Sequence, residues 1–171
     1  PLFLFQAVQA ALLPRLTRLA ARGDLDEFKV GFRRLVILVI GVGIIGIIGA
    51  FLFGPFFLDL VYGGGIDRRT LTLLALASAI YMMALAIAQA VIALRGHRHV
   101  ALGWLLAFIS YVVSAWTVSD DLFLRVEVAL AVSSTVALIY FIFGLRLLLR
   151  SGARIDVESI TEAISERPVE Q

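Results

Sequence analysis

The sequence predicts an all-α, polytopic membrane protein: the end of one transmembrane helix followed by four complete ones. Three observations lead there. The 171 residues are 61% apolar and 16% charged, with a mean hydropathy of +0.98, whereas soluble domains run nearer roughly half apolar and a quarter charged. The excess is concentrated in four blocks, about 35–58, 71–94, 100–118 and 122–149. Each is about the roughly 20 residues that cross a 30 Å hydrocarbon core. Lys and Arg gather where the blocks end, as topology requires. The net charge of +2 is therefore a membrane signature, and no nucleic-acid partner is expected.

Residues 1–13 are apolar but too short to span. No basic region precedes them, so they do not read as a signal peptide. They read as the last half of a transmembrane helix, and the chain is expected to be a C-terminal fragment of a longer protein.

Residues 14–34 organise everything that follows. This segment carries six of the fifteen Lys and Arg. Between spans, such a segment marks the cytoplasmic side. Leu16, Leu19, Leu25, Phe28 and Phe32 fall at roughly helical spacing, with Arg15, Arg18, Arg22 and Lys29 between them. Gly23 can end one helix and Asp24 can cap the next. Two short helices on the inner membrane surface are expected; the alternative is a solvated hairpin.

In the first full span, 35–58, Gly46, Ala50 and Gly54 recur every four residues. Such a stripe lets another helix approach closely, either as a sliding surface or as static packing. Gly54-Pro55 is expected to end or kink the helix. The aromatic and glycine-rich stretch 56–65 suits an outer interfacial turn, and Thr70 is expected to cap the second span. That span, 71–94, has no charged residue, and Gln89 is its one strongly polar side chain. Residues 95–99 form a basic inner loop. The third span, 100–118, carries Trp104 and Trp116 near its ends, a level tryptophan prefers. Ser119-Asp120-Asp121 makes the next outer turn and can cap the fourth span. Asp121 and Arg125, four apart, can pair. In the polar tail 151–171, Val157, Ile160 and Ile164 suggest one short surface helix ahead of Pro168.

A count of basic residues orients the chain. Arg15, Arg18, Arg22, Lys29, Arg33, Arg34, Arg95, Arg98, Arg146, Arg150, Arg154 and Arg167 fall on the expected inner side. Only Arg68, Arg69 and Arg125 fall outside. The tail is therefore expected in the cytoplasm.

The chemistry of the sequence is sparse. There is no glycine-rich phosphate loop, no paired catalytic acids and no Ser-His-Asp arrangement, so catalysis is not expected. Cysteine is absent. His97 and His99 lack further ligands in the sequence, so neither a metal nor another cofactor is expected. The candidates are polar groups in or beside the apolar blocks, where each is a functional hypothesis. Gln6 and Gln9 share a face of the first helix. They and Gln89 can line a hydrated cavity or make interhelical hydrogen bonds. Glu127 is an ion-coupling candidate, or a carboxylate near the outer edge that reaches the headgroups. Arg15, Arg18 and Arg22 share one face. They can meet the pyrophosphate of a lipid carrier, or serve only as membrane anchors.

The run Leu13-Pro14-Arg15-Leu16-Thr17-Arg18-Leu19-Ala20-Ala21-Arg22-Gly23-Asp24-Leu25 resembles a segment of polysaccharide (O-antigen) flippases. These belong to the multidrug/oligosaccharidyl-lipid/polysaccharide exporter superfamily. Phe53-Gly54-Pro55, Val61-Tyr62-Gly63 and the basic loop at Arg95–His99 are also similar. The resemblance covers about residues 5–150. It implies twelve or more helices in two six-helix lobes, of which this chain would be most of the C-terminal one. It implies a bacterial cytoplasmic membrane protein of polysaccharide or lipopolysaccharide biosynthesis, acting by alternating access on undecaprenyl-linked oligosaccharide. Its expected partners are membrane lipids, the missing N-terminal lobe and a polysaccharide polymerase. Two other readings stand beside it: a cation-coupled multidrug extruder of the same superfamily, and a non-transporting membrane scaffold.

Overall fold

The computed structural model describes residues 18, 19, 22, 24–63, 67–118 and 120–165. The described residues form four long helices: α1 (Leu25–Tyr62), α2 (Arg68–Ala93), α3 (His97–Thr117) and α4 (Leu122–Ser165). Each is long and apolar enough to cross a membrane, which suggests a multi-pass membrane protein. The packing order differs from the chain order. α2 packs extensively against α1 and α4, and α4 against α3, while the consecutive α2 and α3 touch only slightly. The helices therefore run α1–α2–α4–α3 across the molecule.

α1 starts where Asp24 caps it, the Glu27 N–H donating to the Asp24 carboxylate at 3.4 Å. It then runs without a break into the expected first span. Residues 25–34 are thus not a separate short helix. The reason is an inward seam. Phe28, Leu35 and Val39 are buried, and Phe32 and Val42 pack against the same core. The spacing of four, three, four and three keeps one stripe of a continuous helix facing its neighbour. Leu19 also packs on this core, so this part of the amphipathic segment rests against the protein.

Gly54-Pro55 does not end α1. Pro55 lies inside the helix, which continues to Tyr62. Proline is tolerated in membrane helices because neighbours and local adjustment satisfy the backbone groups it frees. The stop comes at Gly63, left-handed at φ 73°, whose N–H donates to the Asp59 carbonyl. Gly54 approaches α2 closely: a methyl group there would lie 2.9 Å from Leu71 Cδ1. So does Gly43, outside the expected stripe, where a methyl group would lie 3.0 Å from Ala79 Cβ. Gly46 and Ala50 are half-buried.

Asp67, not Thr70, caps α2, accepting from the Arg68 N–H at 2.8 Å. An aspartate before the first helical residue offers its carboxylate to an orphan N–H. α2 is lined with buried alanines, including Ala77, Ala84 and Ala90, all fully buried. It closes in a tight double-bonded turn: the Gly96 N–H donates to the Val91 carbonyl and the Arg95 N–H to that of Ile92. Arg95 sits left-handed at φ 62°, the position where glycine usually ends a helix. The glycine comes one residue later. A methyl group at Gly96 would press within 2.9 Å of the Val91 carbonyl oxygen.

α3 meets α4 through Gly103, where any methyl group would overlap the buried Phe141 ring. Trp104 is therefore drawn into the bundle. Its ring lies 5.7 Å from Tyr81 and 5.2 Å from Phe141, while Trp116 stays almost fully exposed. Asp121 caps α4, accepting from the N–H groups of Phe123 at 2.9 Å and Leu124 at 3.3 Å. α4 then passes Ser151 and runs unbroken to Ser165. The tail is thus not a separate short helix over that range: Gly152 lies inside α4, and a lone glycine within a helix costs only about 1 kcal/mol.

Candidate functional site

The expected site residues separate into three groups. Gln6, Gln9 and Arg15 lie outside the described residues. Arg18 and Arg22 form the turn before α1, the Arg22 N–H donating to the Arg18 carbonyl at 3.1 Å. Both side chains are exposed. An i, i+4 turn puts them on one face, a cationic ledge beside the start of α1.

Gln89 lies one turn from the C-terminal end of α2 and is half-buried. Its neighbours Ala88 and Ala90 are buried. Among the described residues its amide has no hydrogen-bond partner. The amide is left for water or another molecule. Three hydroxyls of the spans behave differently, though Ser134 Oγ is buried without a partner. Ser110, Ser133 and Thr135 donate to carbonyls one turn back in their own helices, at 2.8, 3.2 and 2.7 Å. Serine and threonine hide their polarity this way; glutamine, with two donors and an acceptor on a long stem, does not.

Glu127, expected near the outer edge, lies five residues into α4. It is only 3% exposed, and it is the one buried Asp, Glu, Lys or Arg among the described residues. It makes no hydrogen bond or ion pair with a described residue. It lines a cavity of about 280 Å³ between the N-terminal ends of α2 and α4, with Asp67, Arg69, Thr70, Asp121, Phe123 and Leu124. The two caps meet there because α2 and α4 run in the same direction and pack against each other. The neighbouring arginines diverge, as successive helical residues must. Arg68 lies over the Phe51 ring of α1 at 5.3 Å, whereas Arg69 lines the cavity. Arg125 faces Asp120 at 3.8 Å in an exposed pair. Glu127 thus presents its carboxylate to the cavity with no partner among the described residues.

The sequence pointed to Glu127 but not to Asp67, Arg69, Thr70 or Asp121 as its companions. The signal was available: two spans that cross in the same direction bring their N-caps to the same end. Two buried atoms, Ser134 Oγ and His99 Nδ1, also have no hydrogen-bond partner. His99 sits where α3 meets Gly144 of α4. Among the described residues no three His, Cys, Asp or Glu side chains are arranged to hold a metal ion. No family model, curated protein or solved structure matches the chain.

Proposed function

We propose that this chain is the C-terminal part of a flippase that carries undecaprenyl-linked oligosaccharide across the bacterial cytoplasmic membrane for cell-surface polysaccharide synthesis. In this reading the tail is cytoplasmic, and a preceding lobe completes a central cavity that works by alternating access. The four apolar helices and the resemblance around Arg15–Leu25 support it. The observation that carries it is Gln89, an amide without a partner among the described residues, in a helix that has no charged residue between Arg69 and Arg95. A static scaffold gains nothing from such a group, whereas a cavity wall that meets sugar hydroxyls does. Arg18 and Arg22, on their ledge, would meet the carrier pyrophosphate as charge-assisted donors.

The test is export per inserted molecule for Gln89→Leu in the full-length protein. Loss of one substrate hydrogen bond predicts a fall of up to about tenfold at unchanged membrane abundance. Unchanged export would remove Gln89 from the path. The extruder reading is favoured by one observation, the buried Glu127, which can serve as a coupling carboxylate. Drug efflux abolished by Glu127→Gln, in a parent that supports no glycan export, would select it.

A further inference from the structure

The flippase reading makes no use of the cavity between the N-terminal ends of α2 and α4. Its chemistry is specific. Glu127 lines it, nearly fully buried and without a hydrogen-bond partner among the described residues. A carboxylate is acceptor only, so it calls for a ligand that donates. Asp67 and Asp121 line the same space and add negative charge, while Arg69 adds one guanidinium. Phe123 and Leu124 supply an apolar wall. An anion alone would face the carboxylates. A bare metal ion lacks a donor set among the described residues. A volume of about 280 Å³ is also far larger than the roughly 30 Å³ that one water occupies in the liquid. The cavity suits a small group carrying an ammonium and an anion together.

Its depth names the source. Glu127 lies five residues into α4, about 7.5 Å along the axis. Asp67, Arg69, Asp120 and Asp121 cluster at and just before the helix starts. That places the cavity at the level of the lipid headgroups, whose layer is about 5–7 Å thick on each side of the hydrocarbon. We propose that this cavity binds a phosphoethanolamine-type headgroup, its primary ammonium on Glu127 and its phosphate on Arg69. A primary ammonium brings three N–H donors to the carboxylate; a quaternary ammonium brings none. Arginine is the residue that matches phosphate with paired donors. The inference does not depend on the flippase reading, since it concerns what is bound and not what is moved.

The test uses the purified full chain reconstituted in vesicles of equal parts phosphatidylethanolamine and phosphatidylcholine, then extracted and weighed with its retained lipid by native mass spectrometry. Phosphatidylethanolamine should be retained about tenfold over phosphatidylcholine, the scale of one charge-assisted hydrogen bond. Retention should fall stepwise through the mono- and dimethylated lipids. Glu127→Gln should abolish the preference, and Arg69→Gln should weaken binding of both lipids. Free O-phosphoethanolamine separates the sources. Displacement of the lipid at millimolar concentration means the headgroup chemistry suffices, and its failure means the acyl chains against Phe123 and Leu124 contribute. Equal retention of the two lipids by the unaltered chain overturns the proposal, whatever the variants do. So does a preference that survives Glu127→Gln. Protection by sodium that depends on Glu127, without any lipid preference, would assign the site to an inorganic cation instead.

Discussion

α1 and α2 are neighbours of similar direction-reversing design, yet they solve opposite problems. α1 is rich in Ile, Val and Phe, and only 17% of its most apolar stretch is buried. Ile45, Phe56 and Leu60 are more than half exposed. α2 is less apolar and built on alanine, and 33% of its corresponding stretch is buried. In a water-soluble protein the more apolar helix would be the more buried one. Here the order is reversed, because lipid tails are as apolar as leucine and reward no burial of it. Large apolar side chains therefore face outward. The interior goes to small residues, which let backbones approach and dispersion contacts accumulate. α1 lies at one end of the row and the alanine-rich α2 inside it; α3, at the other end, is the least apolar of the four and is also only 17% buried.

That contrast can be broken by enlarging the centre. Ala84 and Ala90 are fully buried in α2. Leucine at either should destabilise the fold by about 1–3 kcal/mol, the usual cost of overpacking. Thermal unfolding in detergent would show it, and an unchanged midpoint would mean that α2 is not the packed centre. The α1–α2 contact comes next. Gly43→Val places a branched side chain against Ala79, whose Cβ cannot rotate away. It should cost about 1–2 kcal/mol. Gly54→Ala should cost less, because the atom it meets is the flexible end of Leu71.

The turn after α2 offers a change of the opposite sign. Arg95 holds a left-handed backbone, at a cost of about 1 kcal/mol that glycine does not bear. Arg95→Gly should therefore raise stability by about that amount in the same unfolding measurement. A loss instead would show that the Arg95 side chain holds the turn. The smallest effect belongs to the periphery. Ile45→Ala on α1 exchanges protein for lipid at a side chain that is 72% exposed, and should stay within about 0.5 kcal/mol. A cost of 2 kcal/mol or more would sharpen the comparison differently. It would mean that another helix covers that face, as the two-lobe reading requires.

The sequence by itself determined the four spans, because a run of apolar residues long enough to cross a bilayer is a property of composition. It also pointed to the cap at Asp24 and to the stretch Ser119-Asp120-Asp121, of which Asp121 caps α4; in each a carboxylate lies within reach of N–H groups two or three residues on. It misplaced the cap of α2 at Thr70 and left Pro55 either ending or kinking α1, since local signals there compete with packing that local reading does not contain. Tertiary structure decided those points. α1 is one helix from Leu25 because the seam from Phe28 to Val42 lies against a neighbour along its whole course. Gly103 proves to be a contact only because Phe141, distant in the chain, reaches it. The cavity at Glu127 depends on α4 lying beside α2, which places Asp67 and Asp121 at one rim. A buried charge is visible in a sequence as an acidic residue within an apolar block. What surrounds it is set by which helices touch, and that follows from side-chain packing between residues some fifty positions apart.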